Sequence, residues 1–422
     1  MRLRDVKQQK IQLELDFGTD PRSEASRNVA EESETFVAKH RIESPAGSER
    51  LMEEVCEREN CIQALKQVKS NRGSAGMDGM TVQELPVFLK GHWIAIKESL
   101  LNGTYKPQPV RRVEIPKPDG GERKLGIPRV LDRFIQQAVM QVLQRRWDAS
   151  FSKSSYGFRP KRSAHQAVES AQKHIRAGYR WVVDIDLEKF FDRVNHDRLM
   201  GALAKRISDK RMLRLIRAFL KAGVMEDGLV CATDEGTPQG GPLSPLLSNI
   251  VLDELDGELE RRGHRFVRYA DDCNIYVRSR KAGERLMENI SEFITKRLRL
   301  KVNAAKSAVG KPWERKFLGF SFHMTHFGET RRRIAPKAIE RFKERIRKQT
   351  QRTRGVSLER MIKELSLYMK GWRGYYGFCQ TRHVLELLDR WIRRRIRSYL
   401  WTQWMNGRRR VDELTRLGVA AC

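Results

Sequence analysis

The chain has 422 residues and a mass of 49.2 kDa, enough for roughly two or three domains. It carries 83 Lys and Arg against 53 Asp and Glu, a net charge of +30, and 25 basic but only 8 acidic residues follow Thr330. Such an excess predicts a polyanionic partner. No apolar run approaches 18 residues and no signal peptide opens the chain, so we expect a soluble protein that is not secreted. Six Cys without Cys-x-x-Cys spacing indicate reduced thiols.

The first half of the chain combines a polar extension with helices and one hairpin. Residues 1–50 are charged and poor in aromatics, which is typical of disorder. Helical spacing begins at 51–69 and returns as an amphipathic helix at 131–147. Residues 111–128 read as a β-hairpin around Asp119-Gly120-Gly121.

The second half changes character near residue 330. Residues 179–328 alternate strands and helices, which predicts an antiparallel sheet backed by helices. From residue 336 onward only helices are predicted. They cover 336–349, 357–370 and 383–404, with a glycine-rich break at 371–377.

Two adjacent carboxylates mark a hairpin tip. Tyr269-Ala270-Asp271-Asp272 lies between two β-rich runs, so the turn carries both aspartates. Neighbouring carboxylates repel each other, and a divalent metal would give a reason for placing them there. By itself the tetrapeptide is more often a solvated turn than a metal site.

A third carboxylate follows a predicted buried strand upstream. Residues 181–185 are apolar and β-branched, and Asp186 comes directly after them. A carboxylate at the carboxyl end of a strand points into the crevice where such sheets bind ligands. Asp186, Asp271 and Asp272 would together hold two Mg²⁺ ions, with Mn²⁺ as a substitute. An exposed strand end or a helix N-cap is the alternative for Asp184 and Asp186.

A loop rich in helix breakers lies between these carboxylates. Residues 236–245 read GTPQGGPLSP, and two glycines beside two prolines exclude a helix interior or a central strand. Adjacent glycines let a backbone approach a ligand closely. A purely structural loop remains the alternative.

At these residues the chain resembles the bacterial group II intron-encoded reverse transcriptases and maturases. The resemblance extends from about residue 51 to about residue 418, and its motifs occur in the order of that family. They are residues 115–118 (IPKP), 123–128 (RKLGIP), 155–160 (SYGFRP), 183–195, 237–245 (TPQGGPLSP), 269–272 (YADD), 301–307 (KVNAAKS) and 317–320 (FLGF).

The resemblance implies an α+β right-hand polymerase. After the extension at 1–50, its fingers would be residues 51–178, its palm 179–328 with the antiparallel sheet, and its all-helical thumb or maturase region 329–422. The function implied is RNA-directed DNA polymerase, copying intron RNA into DNA, and maturase, binding that RNA to assist splicing and mobility. Partners would be intron RNA, target and primer DNA and deoxynucleoside triphosphates, in the bacterial cytoplasm.

The resemblance also implies roles for single residues around the triphosphate. Lys117 and Arg123 would grip its phosphates, and Lys306 would act as general acid or clamp on the leaving pyrophosphate. Gln239 and Gly240 would line the nucleotide and primer side. Phe191 would sit beneath the ribose and exclude a 2′-hydroxyl, while its neighbour Phe190 faces the core.

Nucleic acid is expected to contact two further regions. Arg159 would pair with a template phosphate. Residues 391–401 interleave arginines with aromatics on a helix, as phosphate contact combined with base stacking requires. The alternative is a solvated cationic face over an aromatic core stripe. The arginines concerned are Arg393, Arg394, Arg395 and Arg397.

Two other functions are compatible with the sequence, and one activity is expected to be absent. The chain is also compatible with an intron-independent reverse transcriptase in repair or defence, or with an RNA-binding splicing factor whose polymerase site is idle. No cluster of His and paired Cys follows the Arg408-Arg409-Arg410 run, so we expect no second-strand nicking, with a longer natural chain as the alternative. Such a protein would borrow a 3′-end, for example at a replication fork.

Overall fold

A computed structural model describes residues 49–116, 122–226, 229–231, 235–236, 240–404, 406–416 and 418. The disorder predicted for 1–50 falls, except for its last two residues, outside the described residues. Lys117 and Gln239 lie outside them as well.

Thirteen helices and ten strands are found in the described ranges. The helices are α1 Leu51–Cys56, α2 Arg58–Ser70, α3 Leu85–Leu101, α4 Val130–Trp147, α5 Ala164–Arg176, α6 His196–Ala204, α7 Lys210–Lys221, α8 Ser244–Arg261, α9 Arg280–Lys296, α10 Pro336–Gln349, α11 Leu358–Tyr376, α12 Arg382–Gln403 and α13 Gly407–Arg416. The strands are β1 Val110–Pro116, β2 Glu122–Ile127, β3 Trp181–Ile185, β4 Val224–Glu226, β5 Leu229–Cys231, β6 Arg265–Tyr269, β7 Asp272–Val277, β8 Ala308–Gly310, β9 Phe320–Met324 and β10 Thr330–Ile334.

The N-terminal part packs helices α1–α4 beside a small sheet. The predicted helix at 51–69 is two helices, because Glu57 adopts an extended ψ of 141° between α1 and α2. The two strands of the predicted hairpin are confirmed, since β1 and β2 pair antiparallel from Arg111 opposite Ile127 to Pro116 opposite Glu122. The predicted turn at Asp119-Gly120-Gly121 lies outside the described residues. Strands β4 and β5 complete this sheet in the order β2-β1-β4-β5.

The central sheet has the order β6-β7-β3-β8, and all its pairs are antiparallel as predicted. Successive side chains along each strand point to opposite faces of the sheet, and both faces are covered. Val183 and Ile275 join a core that continues through α8, α9 and the N-terminal helices. On the other face Val182 and Tyr276 pack with α5, which starts at a capping box.

The C-terminal part is helical from Pro336 onward, as expected, with two corrections. Residues 330–334, placed in the all-helical segment, form β10, which pairs antiparallel with β9. The break predicted at 371–377 is wrong, because α11 continues to Tyr376. Aromatic side chains at its end pack around Phe320, and this tertiary packing outweighs the helix cost of Gly371 and Gly374, about 1 kcal/mol each.

None of the helices in the described ranges is long and apolar enough to cross a membrane.

Candidate active site

The Tyr-Ala-Asp-Asp segment is a tight hairpin, as predicted. Tyr269 pairs with Asp272 at the ends of β6 and β7, which leaves Ala270 and Asp271 as the two-residue turn. Ala270 has a φ of +56°, in the left-handed region that residues with a side chain rarely adopt. The turn therefore presents two consecutive carboxylates at the edge of the central sheet.

The ladder between β3 and β7 brings the third carboxylate to the same place. The last pair of this ladder is Ile185 opposite Cys273. One position beyond that pair, Asp186 on the β3 side and Asp272 on the β7 side lie across from each other. Because side chains alternate, Asp186 and Asp272 lie on one face of the sheet, together with Asp184. The juxtaposition of Asp186 with the hairpin tip agrees with the prediction.

The electrostatics of this face disfavour its negative charge. Burial, followed by the charges of Asp271, Asp184 and Asp186, raises the pKa of Asp272 to about 7. The side chain is nevertheless open to solvent, so water screens part of this repulsion. Hard carboxylate oxygens in such a group suit a divalent cation, whose charge would remove the repulsion. Among the described residues, no group of three or more His, Cys, Asp or Glu side chains is arranged so that it could hold a metal ion.

The backbone of Asp186 is held by the loop that carries Lys306. The Asp186 amide donates to Ser307 Oγ at 3.0 Å, and the Asn303 amide donates to the Asp186 carbonyl at 2.8 Å. Lys306 Nζ lies 3.9 Å from Asp186 Oδ2, on a side chain that is 69% exposed. The loop thus places an exposed cation beside the carboxylate, at the edge of the site.

Asp184 is engaged by a residue that the sequence analysis missed. Arg315 donates to Asp184 Oδ2 from Nε at 3.0 Å and from Nη2 at 2.7 Å. Burial raises the pKa of Asp184, and Arg315 opposes that rise. Arg315 Nη2 also donates to the Lys306 carbonyl at 2.7 Å. No local pattern distinguishes Arg315 from other surface arginines in the sequence.

The two neighbouring phenylalanines lie in a short 3₁₀ turn after β3, Phe190–Asp192. Phe190 is 2% exposed and belongs to the main core, which confirms the expectation that it faces inward. Phe191 is half-buried and packs edge-on against Phe190, with ring centroids 5.3 Å apart. The sugar-selecting role of Phe191 stays a prediction.

The glycines of the loop before α8 make close contacts within the chain. A Cβ on Gly240, whose φ is +131°, would lie 2.6 Å from the Gly126 carbonyl oxygen of β2. One on Gly241 would lie 2.3 Å from Gln136 Oε1. This packing against the β1–β2 hairpin and α4 explains the glycines without a ligand. Arg123 lies on β2, opposite Ile115.

The predicted phosphate contact of Arg159 is wrong. Its guanidinium is buried and donates to Asp148 Oδ1 at 2.8 Å and to the carbonyls of Asp148, Ser152 and Ser155 at 2.6, 2.6 and 3.0 Å. These bonds use Arg159 to fold the 148–159 loop. The neighbouring Gly157 instead touches the active-site turn, since a Cβ there would lie 2.2 Å from the Ala270 nitrogen.

A buried ion pair behind the hairpin was also missed. Arg268 on β6 and Asp256 on α8 are both fully buried. Burial alone would lower the pKa of Arg268, but the Asp256 carboxylate raises it above its ordinary value. The signal was available, because Arg268 shares the inward-facing positions of β6 with Phe266, and Asp256 lies on the apolar face of α8.

On α12 the predicted arginines fall into two groups. Arg393, Arg394 and Arg397 are exposed, and Arg393 pairs with Asp389 at 2.8 Å. Arg395 is half-buried and donates to Thr350 Oγ1 at 3.0 Å and to its carbonyl at 3.2 Å, so part of its guanidinium is used inside the protein and its nucleic-acid contact stays a prediction. Its guanidinium joins α12 to the end of α10.

The aromatic residues on α12 are also divided. Tyr399 is buried and donates to the Val356 carbonyl at 2.6 Å, so it belongs to the core of the C-terminal helices. Trp401 is 49% exposed, with the Arg410 guanidinium 4.6 Å from its ring centre. Arg352 and Arg397 line a surface cavity of about 270 Å³ beside Trp401.

Two family models match the chain over these parts. Residues 115–322 match the model described as reverse transcriptase (RNA-dependent DNA polymerase). Residues 339–418 match the group II intron, maturase-specific domain. The first match contains Asp186, Asp271 and Asp272, and the second contains α11, α12 and α13.

Individual proteins are also similar to this chain. Protein YkfC of Escherichia coli is 40% identical over 220 residues, covering 51% of this chain and 58% of that protein. The group II intron-encoded protein LtrA of Lactococcus lactis is 42% identical over 194 residues, covering 46% of this chain and 32% of that protein. The chain thus spans less than two thirds of either relative. A solved partial Cas6-RT-Cas1–Cas2 complex matches 58% of this chain and 42% of its own at 26% identity, with a TM-score of 0.38.

The central sheet with its carboxylates and the first family match define a reverse transcriptase domain. Together with the maturase-specific domain, they show that the chain belongs to the group II intron reverse transcriptase–maturases.

Proposed function

We propose that the protein is an RNA-directed DNA polymerase that copies intron RNA, and a maturase that binds this RNA to assist splicing and mobility. The observation that carries the polymerase function is the ladder that brings Asp186 to the Asp271-Asp272 turn. Three carboxylates on one sheet edge disfavour one another, which is difficult to explain by folding stability alone.

Asp186, Asp271 and Asp272 would hold two Mg²⁺ ions, for which Mn²⁺ can substitute. When bound, such a pair activates the primer 3′-hydroxyl and stabilises the leaving pyrophosphate. The three carboxylates would orient the metals and the triphosphate at the sheet edge. Lys306, beside Asp186, would neutralise or protonate the leaving pyrophosphate.

The remaining contacts to the nucleotide follow from the resemblance. Lys117 and Arg123, from the β1–β2 hairpin, would grip the phosphates, and Gln239 with Gly240 would line the nucleotide and primer side. Phe191 would exclude a 2′-hydroxyl by the volume of its ring. The bulk of Phe190 in the core gives Phe191 a rigid support from one side.

The C-terminal helices supply the surface for RNA. Exposed arginines on α12 would contact phosphates, since their charges are not used inside the protein as that of Arg395 is. Trp401, beside Arg397 and Arg410, would stack on an unpaired base or ribose. The protein would act in the bacterial cytoplasm, at the nucleoid, because its proposed partners are intron RNA, a DNA target and deoxynucleotides.

The test separates polymerase chemistry from RNA binding. Asp186→Asn and Asp271→Ala are expected to abolish primer extension on an RNA template while binding of the intron RNA stays at the wild-type level. Metal-held chemistry needs these carboxylates, whereas RNA affinity resides on distant basic surface. Asp197→Asn serves as control, because this carboxylate pairs with Arg217 on an exposed surface of α6.

Near-wild-type extension by either variant would reject the catalytic assignment. Extension that is absent even in the wild-type protein, with intron RNA still bound, would favour the splicing factor with an idle site. Extension without any preference for the RNA that surrounds the reading frame would favour the intron-independent enzyme.

A further inference from the structure

The guanidinium of Arg268 is fully buried behind the active-site turn, and all five of its N–H groups have partners. Nε and Nη2 donate to the two Asp256 carboxylate oxygens at 2.7 and 2.5 Å. Nη1 donates to Asn249 Oδ1 at 3.0 Å and to the Ala270 carbonyl at 2.9 Å, and Nη2 also donates to Ser155 Oγ at 2.8 Å. A buried polar group satisfied to this extent has little freedom to move.

These bonds connect three separate segments of the chain. Asp256 and Asn249 lie on α8, which follows the loop at 236–243, and Ser155 lies in the 155–160 segment. The main chain joins the same network, because the Tyr156 amide donates to the Arg268 carbonyl and the Arg268 amide donates to the Ser154 carbonyl, both at 2.9 Å. Asn249 Nδ2 also donates to the Gly157 carbonyl at 2.9 Å.

The network ends on the one residue of the turn that has an unfavourable conformation. Ala270 is left-handed, and such a conformation in a residue with a side chain persists only where the surroundings over-determine it. Here Arg268 holds the Ala270 carbonyl, while Gly157 lies against the Ala270 nitrogen. The φ and ψ angles of Ala270 set the direction in which Asp271 leaves the turn.

We propose that Arg268, locked by Asp256, is a positioning residue of the polymerase site: it holds the Ala270 carbonyl so that Asp271 and Asp272 face Asp186. The inference rests on the proposed polymerase function. It makes the buried pair a determinant of metal binding and turnover, beyond any contribution to folding.

A contribution to folding alone is the competing explanation, and it makes a different prediction. Buried ion pairs are often replaceable by apolar residues of similar volume with no loss of stability, whereas removal of one partner is strongly destabilising. The double variant Arg268→Met with Asp256→Leu removes both charges together. It should therefore be less destabilised than either single substitution, although Ser155 Oγ, Asn249 Oδ1 and the Ala270 carbonyl lose their donor.

The experiment compares the wild-type protein, Arg268→Lys and this double variant. Three quantities are measured on each: primer extension at saturating deoxynucleotide over a range of Mg²⁺ concentrations, Mn²⁺ binding by titration without substrate, and thermal melting. For both variants we expect at least a tenfold loss of kcat and at least a threefold rise in the Mg²⁺ midpoint and in the Mn²⁺ Kd. Binding of the intron RNA should be unchanged.

Asp132→Asn is the matched control. This carboxylate is also buried and accepts from Tyr105 Oη at 2.7 Å and Arg129 Nε at 3.3 Å, but in the N-terminal helices. It should lower the melting temperature and leave the Mg²⁺ midpoint unchanged. A double variant that regains stability together with wild-type kcat, Mg²⁺ midpoint and Mn²⁺ affinity would overturn the proposal.

The Mn²⁺ titration separates this proposal from the proposed function. If the wild-type protein does not extend primers, the polymerase function fails. A weaker Mn²⁺ affinity in the double variant would then still support positioning by Arg268, and an equal affinity would reject it.

Discussion

Substitution of Gly157 by alanine is expected to inactivate the polymerase through a backbone contact. The added Cβ would lie 2.2 Å from the Ala270 nitrogen and 2.9 Å from the Tyr269 carbonyl carbon. Non-bonded heavy atoms ordinarily stay about 3.5 Å apart, so the two segments would have to separate by about 1 Å. Both sides of the contact are main chain, and no change of side-chain rotamer can relieve it.

The displacement would act directly on the catalytic turn. Hydrogen bonds from Tyr156 to Arg268 and from Asn249 to Gly157, both 2.9 Å long, hold the segment in place and would stretch or break. Overpacking of this kind costs about 1–3 kcal/mol of stability. A shift of about 1 Å in reacting groups lowers a rate by about 100-fold. We therefore expect a loss of about that size in kcat.

Steady-state extension of an oligo(dT) primer on poly(rA) would measure this loss, with melting and intron RNA binding as checks that the variant folds. Gly257→Ala is the control, because this exposed glycine of α8 has no atom within 4 Å of the added Cβ. It should gain about 0.5–1 kcal/mol of stability and retain full activity. A folded Gly157→Ala variant with kcat within a factor of about two of the wild type would refute the reasoning, since the effect predicted from misplacement is far larger.

Three further predictions follow from the same structure. Phe191→Val should raise ribonucleotide incorporation several-fold with a smaller loss of deoxynucleotide use, and unchanged discrimination in a competition assay would place the selection elsewhere. The pKa of Asp272 is about 7 in the folded protein against an ordinary 3.8. Its ionised form therefore lowers the stability of the folded protein fully above about pH 7, and it has no such effect below about pH 4. Asp272→Asn should therefore raise the melting temperature of the metal-free protein more at pH 8 than at pH 5. The full pKa shift corresponds to roughly 4 kcal/mol of stability, which solvent screening reduces to about 1 kcal/mol. An equal gain at both pH values would contradict this cause. Trp401→Ala should weaken intron RNA binding by about 1–3 kcal/mol. Arg397→Ala should reduce by about one the slope of the logarithm of the RNA-binding constant against the logarithm of the salt concentration. Arg393, already paired with Asp389, should contribute less to binding.

Several predictions from the sequence held because they depend on neighbours along the chain. The Asp271-Asp272 hairpin follows from two β-rich runs around a short polar turn. The strand at 181–185 and the helix at 336–349 follow from β-branched and amphipathic patterns, and both have the predicted bounds. The order of motifs was sufficient to indicate the family.

Other predictions failed where distant residues decide the outcome. Arg159 has the composition of a phosphate contact, but carbonyls of the 148–155 loop surround it. The glycine-rich end of α11 stays helical because its aromatics bury themselves against β9. A one-dimensional pattern cannot show which of these groups will find a partner inside the protein.

The sequence by itself determined the class of this protein through the order of its motifs, and it predicted that the carboxylates at a strand end and in a tight turn form one site. Only the tertiary structure decided which charges find partners inside the protein and which remain at its surface. Arg268 and Arg159 are buried and fully engaged, whereas Lys306 and Arg397 remain exposed. The physical reason is that the cost of a buried charge is offset only by partners arranged in three dimensions, and in the sequence Ser155, Asn249 and Asp256 are separated from Arg268 by between 12 and 113 positions.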